Sequence, residues 1–327
     1  MDEIRWGIIG CGNVTEVKSG PAFNKVPGSK LVAVMRRDAA KARDYAERHD
    51  VPQWFDDATL LLDAKDINAV YVATPPSTHE KYAIAALERG LPVYVEKPMS
   101  VNAASALRIV QAAEKHNTKI CVAHYRREMP LFKKVGELIR QNAIGKVLVI
   151  ELRLYQPFDA AGFAPSPENW RLDPAVSGGG IFHDLAPHQL DLMLHYFGLP
   201  VNIKSIAFNQ GAHYEANDLI SASIRFHDNI LFNGIWSFNA PSLQPVDTCR
   251  IIGENGFIQF GIFKMENIVV STNGIEEEFK FEPLPHVQQP MIAEVVRYFR
   301  GERHNPCSGN AGIEVMRMID EIALPSR

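Results

Sequence analysis

The amino-acid sequence predicts an α/β protein whose first part is a parallel sheet and whose second part is built on a mainly antiparallel sheet. Strand and helix patterns alternate over residues 1–125, as they do where helices cross over between parallel strands. Beyond residue 126, apolar residues alternate one by one and Asn-Gly pairs mark hairpins. We therefore predict two domains, 1–125 and 126–327.

Composition and charge exclude several functional classes. The 327 residues are 46% hydrophobic and 22% charged, and the net charge is −4, so no strong field favours nucleic acid or an anionic membrane. The apolar runs are strand-sized, and the chain leads directly into a strand. The cysteines (Cys11, Cys121, Cys249 and Cys307) are isolated. We expect a cytoplasmic protein with no signal peptide and no metal site.

The first part contains five predicted parallel strands and two clear helices. The strands are Ile4–Ile9, Lys30–Met35, Ala69–Ala73, Pro92–Val95 and Lys119–Ala123. One helix is Asp38–His49, which Asp38 can cap. The other is Thr78–Arg89, which Ser77 and Glu80 are predicted to begin as a capping box.

The second part is predicted to be an antiparallel sheet interrupted by one helix. Its strands and hairpin signals are Lys146–Tyr155, Asp218–Phe226, Ile230–Phe238, Asn255-Gly256 and Asn273-Gly274. The helix lies near Asp184–Phe197, and two further helices follow the sheet. The segment Gln156–Gly180 is rich in proline, glycine and alanine, which indicates a functional loop.

A glycine turn after the first strand predicts dinucleotide binding. The segment Gly10-Cys11-Gly12-Asn13-Val14 follows a strand and opens a helix, the context that the fingerprint of Rossmann-type domains requires. Gly10 permits the tight turn, and Gly12 lets a pyrophosphate approach the amides of Asn13 and Val14. Thr15 stands where glycine or alanine is usual and could loosen the packing of this helix on its strand.

The end of the second strand favours NADP, with NAD as the alternative. An acidic residue there would bond the ribose 2′-hydroxyl, whereas this chain has Arg36 and Arg37, which suit a 2′-phosphate. Asp38 follows and remains available to a ribose, in which case the two arginines are solvated surface residues.

Lys97 is the first candidate catalytic residue. It is predicted to lie at the carboxyl end of a parallel strand, where open α/β sheets bind their ligands. An ammonium there can stabilise charge on oxygen as an alcohol becomes a carbonyl. Pro98 excludes the helical region for Lys97 and makes a cis bond possible. The alternative is an edge lysine paired with Glu96.

A glycine run and a polar helix supply the second candidate site. Gly178-Gly179-Gly180 would let the backbone approach a ligand closely, and Asp184 and His188, four residues apart, share a helix face. The imidazole of His188 suits proton exchange near neutrality. The stripe that also includes Asp191 and His195 is equally typical of the solvated face of an amphipathic helix, and spacing alone favours that interpretation.

Taken together, these segments resemble the glucose–fructose oxidoreductase / inositol dehydrogenase / MocA-type (Gfo/Idh/MocA) family. The matching motifs, in family order, are Gly10-Cys11-Gly12, Ala73-Thr74-Pro75-Pro76-Ser77-Thr78-His79, Glu96-Lys97-Pro98, Tyr125-Arg126, Trp170-Arg171 and Gly178-Gly179-Gly180-x-x-x-Asp184-x-x-x-His188-x-x-Asp191. The resemblance implies Lys97, Asp184 and His188 as the catalytic residues, with His188 as acid/base.

The resemblance also implies the remaining contacts. Thr74 and Pro75, with His79, Glu96 and Lys97 of the same motifs, would contact the cofactor. The substrate would be held by Tyr125, Arg126, Trp170 and Arg171. The open sheet of the second domain commonly forms a dimer or tetramer interface in this family, so a homodimer or homotetramer is expected.

The expected function is an NADP-preferring oxidoreductase that interconverts a secondary alcohol and a ketone on a sugar, cyclitol or related diol. One rival is a dihydrodiol dehydrogenase-like enzyme, which Trp170 and Phe163 near the pocket leave open. The other is a non-catalytic NADP-binding sensor on the same fold. The presence of Lys97, Asp184 and His188 argues against a sensor, which has no need of a proton-transfer pair.

Overall fold

The computed structural model describes residues 2–159, 169–241 and 245–323. These residues group into two compact units. The first contains residues 2–125 and 284–316, and the second contains the remaining described residues. The first boundary falls at the predicted position, but residues 284–316 group with the first unit, whereas the sequence prediction placed them in the second domain.

The first unit is built on a sheet with six parallel strands among the described residues. They are β1 (Ile4–Ile9), β2 (Ser29–Met35), β3 (Gln53–Phe55), β4 (Ala69–Val72), β5 (Val93–Val95) and β6 (Ile120–Val122). Their order, β3-β2-β1-β4-β5-β6, is that of the Rossmann fold, so this part of the predicted fold is confirmed. The strand order reverses between β1 and β4, where such sheets form a ligand crevice at their carboxyl ends.

Helices connect these strands. They are α1 (Asn13–Val17), α2 (Ala39–Arg48), α3 (Ala58–Leu62), α4 (His79–Leu87) and α5 (Ala103–Lys115). The predicted cap of α2 is confirmed, because the carboxylate of Asp38 accepts from the amide of Lys41 at 3.1 Å. The predicted capping box of α4 is wrong. A 3-10 turn precedes this helix, and the carboxylate of Glu80 instead accepts from Ser105 and Arg108.

A helix that follows the second sheet in sequence packs on the first sheet. The ring of Phe299, in α9 (Gln289–Arg300), lies 5.5 Å from the ring of Trp6 in β1. The ammonium of Lys119 donates to the carbonyl oxygens of Tyr298 and Phe299 at 2.8 and 3.0 Å. The apolar residues of this helix that face the sheet are buried: Met291, Ile292, Val295, Val296 and Phe299. Helix α10 (Gly309–Ala323) follows.

The second unit contains an eight-stranded sheet within the described ranges. Its strands are β7 (Val147–Tyr155), β8 (Asn202–Phe208), β9 (Leu219–Arg225), β10 (Leu231–Ser237), β11 (Val246–Gly253), β12 (Gly256–Phe260), β13 (Asn267–Thr272) and β14 (Ile275–Lys280). The order is β14-β13-β12-β11-β7-β10-β9-β8, and β7 and β10 form a parallel pair in an otherwise antiparallel sheet. The predicted hairpins at Asn255-Gly256 and Asn273-Gly274 join β11 to β12 and β13 to β14.

One face of this sheet is covered by α6 (Pro130–Arg140) and α8 (Gly180–Phe197). The indole of Trp236 in β10 donates to the side-chain oxygen of Gln189 in α8 at 2.6 Å. After α7 (Pro174–Ser177), helix α8 begins at Gly180, earlier than predicted, and the amide of Gly180 donates to the hydroxyl of Ser177 at 2.8 Å. In the part of the chain that is described, no helix combines the length and apolarity that crossing a membrane requires.

Candidate active site

The glycine turn lies at the carboxyl end of β1, and its two glycines have different structural reasons. Gly10 has a φ of +96°, and a Cβ there would lie 2.8 Å from the amide nitrogen of Thr74. Gly12 has a φ of −129°, and among the described residues a Cβ there would meet nothing nearer than the carbonyl oxygen of Gly10, at 3.9 Å. Packing within the protein therefore requires Gly10, whereas Gly12 keeps space open over the turn, as a pyrophosphate needs.

Thr15 is tightly packed, so the loosening considered from the sequence does not occur. The side chain is fully buried, and its hydroxyl donates to the carbonyl oxygen of Gly12 at 2.8 Å. Its own carbonyl oxygen accepts from the hydroxyl of Tyr45 in α2 at 2.8 Å. A hydrogen-bonded threonine thus holds the turn where a smaller residue is usual.

The structure places Arg36 and Asp38, the two residues that the sequence offered as contacts for the ribose or its 2′-phosphate, in different surroundings. The guanidinium of Arg36 lies against the glycine turn, with Nη1 3.4 Å from the carbonyl oxygen of Cys11. The carboxylate of Asp38 caps α2 and pairs with the ammonium of Lys41 at 3.2 Å. The capping amide of Lys41 lowers the pKa of Asp38. Arg37 borders a separate cleft of about 230 Å³ between α3 and α4.

Lys97 follows β5 on the same edge of the sheet as the glycine turn. In register, Ile9 at the end of β1 pairs with Val72 of β4, which pairs with Val95 of β5. Lys97 is half-buried, and the bond from Lys97 to Pro98 is cis. Thr74 and Pro75 lie just past the end of β4. The structure thus places the turn, Thr74, Pro75 and Lys97 at the carboxyl ends of three adjacent strands.

Glu96 and His79, which the motifs implied as cofactor contacts, are buried against the protein. One carboxylate oxygen of Glu96 accepts from the side-chain amide of Gln288 at 2.6 Å and from the hydroxyl of Tyr71. The ring nitrogens of His79 lie 2.6 Å from the carbonyl oxygen of Thr74 and 3.0 Å from that of Pro98. Burial lowers the pKa of His79 to about 4. Both side chains hold the loops that carry Thr74 and Lys97.

In the second unit, the polar stripe of α8 is buried. Asp184, His188 and Asp191 are 7%, 5% and 1% exposed, whereas His195, one turn beyond Asp191, is exposed. The interpretation of this stripe as a solvated face is therefore wrong for its first three members. Asp184 accepts from the Nε of Arg171 at 2.7 Å. The guanidinium of Arg171 in turn lies over the ring of its neighbour Trp170, at 4.4 Å, so the Trp170-Arg171 pair adjoins Asp184.

The glycine run before α8 has a packing explanation at two of its positions. A Cβ on Gly179 would lie 2.1 Å from Cε1 of His183. Gly180 has a φ of +78°, and a Cβ there would lie 2.6 Å from the Cβ of Ala216. These contacts account for both glycines without the ligand that the sequence argument invoked.

Sequence reasoning missed Phe263, which contacts the predicted acid/base. Its ring meets the ring of His188 edge-on at 5.8 Å, and the guanidinium of Arg126 lies 4.8 Å from its centre. The Nε of Arg126 also donates to the carbonyl oxygen of Ile262 at 3.1 Å. Phe263 lies in a loop after β12 and belongs to no periodic pattern. No sequence pattern indicates this position, which the structure fixes through the carboxylate of Asp247, an acceptor for the amide of Phe263 at 2.6 Å.

A second missed residue is Arg127, which follows the predicted pair of Tyr125 and Arg126. Tyr125 and Arg126 are both buried, at the start of a 3-10 turn. Arg127 makes a two-pronged ion pair with Asp191 of α8, with Nη2 2.7 Å and Nε 2.9 Å from the carboxylate oxygens. This pair fixes the turn to the helix that carries Asp184 and His188.

Comparison with known proteins identifies the class and then the family. Residues 4–124 match the model described as "Oxidoreductase family, NAD-binding Rossmann fold", and residues 132–259 match the GFO/IDH/MocA C-terminal domain. The protein is thus an oxidoreductase with an NAD-binding fold. Oxidoreductase P35 from Formosa agariphila is 47% identical over 319 residues, which cover 97% of each chain. The chain belongs to the GFO/IDH/MocA family.

More distant similarities extend over almost the whole chain. Trans-1,2-dihydrobenzene-1,2-diol dehydrogenase from Xenopus laevis is 26% identical over 98% of this chain and 97% of its own. Among solved structures, levoglucosan dehydrogenase in complex with NADH and levoglucosan superposes with a TM-score of 0.85 and 20% identity, covering 98% of this chain and 96% of that one. At this identity, the structural likeness establishes the shared fold alone.

Proposed function

We propose that this oxidoreductase prefers NADP(H) and interconverts a secondary alcohol and a ketone on a sugar, cyclitol or related diol. The observation that carries the proposal is the shared carboxyl edge of β1, β4 and β5, where the open space at Gly12 follows β1 and the ammonium-bearing Lys97 follows β5, on the two sides of β4. Two of the similar proteins are named as dehydrogenases of a diol and of levoglucosan, which supports a substrate of this class.

The residues have distinct roles in this reaction. When bound, the dinucleotide supplies the hydride acceptor, and the amides of Asn13 and Val14, with Thr74 and Pro75, would hold it. Lys97 stabilises negative charge on the reacting oxygen. His188 takes the hydroxyl proton in the oxidative direction and returns it in the reductive one.

Three further side chains support the substrate side of this proposal. Asp184 is oriented by its ion pair with Arg171, whose Nε lies 2.7 Å from one carboxylate oxygen. Trp170 offers an aromatic face beside them, a surface on which the apolar face of a sugar or diol ring can pack. Arg126 acts through Phe263, since its guanidinium lies over that ring.

The preference for NADP rests on the different positions of Arg36 and Asp38. Arg36 lies against the glycine turn and can pair with a 2′-phosphate, whereas the carboxylate of Asp38 is engaged as a helix cap.

We expect Arg36→Asp to weaken NADPH binding about 10- to 100-fold and NADH binding far less, measured by fluorescence titration. Arg43→Asp, which makes the same charge change on the exposed face of α2, is the control. Equal losses for the two dinucleotides would remove the argument.

The reaction itself is tested by a screen of absorbance changes of the nicotinamide. Sugars, inositols, keto-sugars and trans-dihydrodiols are assayed with both NAD and NADP. Turnover of a polyol or its ketone, faster with NADP, is the expected result. If every compound remains unchanged while wild-type protein binds dinucleotide, the proposed reaction is wrong.

A dihydrodiol dehydrogenase-like activity is the second candidate. The similarity to the Xenopus enzyme over nearly both full lengths favours it, and the ring of Trp170 suits packing against the unsaturated ring of a dihydrodiol. Phe163, the other aromatic residue invoked from the sequence, lies outside the described residues. The screen separates the two candidates, because only this one predicts faster turnover of trans-dihydrodiols than of sugars and inositols.

We also propose a homodimer or homotetramer that forms through the open face of the second sheet. Ile206 and Phe208 of β8 lie on this face and are 66% and 44% exposed. Phe208 lies opposite Leu219 of β9, Leu219 lies opposite Ser237 of β10, and Ser237 lies opposite Tyr155 of β7, so this row of residues crosses four strands.

The oligomer is tested by light scattering. The measured mass should be a multiple of the 36.5 kDa chain mass, and Ile206→Lys should lower this mass. A wild-type monomer would contradict this.

A further inference from the structure

Gln288 connects three parts of the first unit from a position far along the chain. It is fully buried immediately before α9, and neither matched family region extends to it. Its side-chain amide donates to Glu96 at 2.6 Å, and its backbone amide donates to the carbonyl oxygen of Lys18, just after α1, at 3.2 Å. Gln288 thus reaches both the residue before Lys97 and the helix that follows the glycine turn.

Tyr71 of β4 makes a second connection between the same two places. Its hydroxyl donates to Glu96 and lies 3.3 Å from the hydroxyl of Ser19. Ser19 donates to the carbonyl oxygen of Val14 in the glycine-turn helix, at 3.3 Å. Burial raises the pKa of Tyr71, so its hydroxyl keeps its proton and remains a donor.

The carboxylate of Glu96 is the point where both connections meet. One of its oxygens accepts from Tyr71 and Gln288, and the other accepts from the backbone amide of Lys97 at 3.1 Å. A buried carboxylate must have its donors, because its desolvation is otherwise uncompensated. The two side-chain donors therefore fix the orientation of Glu96, and Glu96 fixes the backbone from which the side chain of Lys97 extends.

We propose that Tyr71 and Gln288 are positioning residues that hold Lys97, through Glu96, in place relative to the glycine turn. Neither residue touches the reacting atoms. The inference rests on the proposed function only in the role given to Lys97.

The test compares Tyr71→Phe and Gln288→Met with a matched control, Tyr94→Phe. Tyr94 is an equally buried tyrosine whose ring stacks on that of Tyr71 at 5.2 Å. Its hydroxyl lies 3.4 Å from the side-chain oxygen of Gln288, so Tyr94→Phe keeps both side-chain donors of Glu96. We expect Tyr71→Phe and Gln288→Met to lower kcat about 10-fold or more on the best substrate of the screen. The Kd for NADPH should change little, and Tyr94→Phe should leave both values near wild type.

A second measurement is independent of turnover. Reductive methylation with carbon-13 labels lysines as dimethyl groups, and Lys97→Arg assigns the NMR signal of Lys97. That signal should shift in Tyr71→Phe and Gln288→Met and stay in place in Tyr94→Phe. If Tyr71→Phe and Gln288→Met lower only the melting temperature, and leave kcat and the Lys97 signal as in Tyr94→Phe, the positioning role is wrong. A wild-type protein that turns over nothing, but shows the expected signal shifts, overturns the proposed function and leaves this inference standing.

Discussion

The surroundings of Lys97 and His188 satisfy buried carboxylates in different ways. Beside Lys97, the carboxylate of Glu96 accepts from neutral donors, the hydroxyl of Tyr71 and the amide of Gln288. On the helix of His188, the carboxylates on either side of it are each held by an arginine. These pairs are Arg171 with Asp184 and Arg127 with Asp191, both at 2.7 Å.

Because of this difference, substitutions in the two regions should have different effects on turnover and on stability. Neutral donors orient a carboxylate without bringing a second charge near the proposed catalytic ammonium. When one of them is lost, Glu96 keeps its other donors, so the loss should alter turnover and not folding alone. An arginine that neutralises a buried carboxylate leaves an uncompensated charge when it is removed, which is expensive in folding free energy. Changes around Lys97 should therefore appear in kcat, and changes around α8 should appear in stability, unless they reach His188 itself.

The largest effect is expected at His188. His188→Ala should lower kcat about 10³-fold, because the proposed general acid/base is lost, while the Kd for NADP stays near its wild-type value. His195→Ala, on the same helix but exposed, is the control and should retain full turnover. Steady-state kinetics with the best substrate of the screen measures both. An unchanged turnover number in His188→Ala would refute the assignment.

The next effect is on folding. Arg127→Met removes the partner of Asp191, whose side chain is 1% exposed, and should lower the free energy of unfolding by about 3–5 kcal/mol. The double variant Arg127→Met/Asp191→Leu removes the buried charge as well and should recover most of this loss. Urea denaturation measures the free energies. If the double variant is no more stable than Arg127→Met, the unpaired charge is not the cause.

The free energy of unfolding should depend on pH through one buried histidine in each unit. Burial lowers the pKa of both His79 and His183 to about 4. The unfolded chain therefore binds more protons as pH falls from about 6.5 to about 4, so stability is complete above this window and declines within it, by up to about 3 kcal/mol for each histidine. Urea denaturation across this range should show a flatter decline for His79→Gln and His183→Gln. The exposed His227→Gln should decline like wild type, and three equal slopes would contradict the prediction.

The smallest effect is expected at Phe263. Phe263→Leu removes the ring that meets His188 edge-on and should lower kcat/KM about 3- to 10-fold, whereas Phe263→Tyr retains the ring and the activity. Phe257→Leu is the matched control, since Phe257 also carries a guanidinium over its ring, that of Arg250 at 3.8 Å. Equal losses in Phe263→Leu and Phe257→Leu would mean that contact with His188 is unimportant.

The sequence was most informative where structure depends on neighbouring residues. The alternation of apolar residues predicted β7. The carboxylate of Asp38, immediately before the first helical residue, predicted the cap of α2. Alternating strand and helix patterns predicted the parallel sheet, and the strand–turn–helix order around Gly10 predicted the glycine turn, because the backbone conformation of such a turn is decided by a few consecutive residues. Motif spacing likewise placed Asp184 and His188 on one helix face.

Only the tertiary structure decided which distant residues meet. It placed Glu80 on Arg108 instead of in a capping box, buried the polar stripe of α8, and brought Gln288 to Glu96 and Phe263 to His188. These contacts join residues that are separated by tens to nearly two hundred positions. Local periodicity carries no information about such partners, since they are selected by the packing of whole elements and by the need to satisfy each buried polar group.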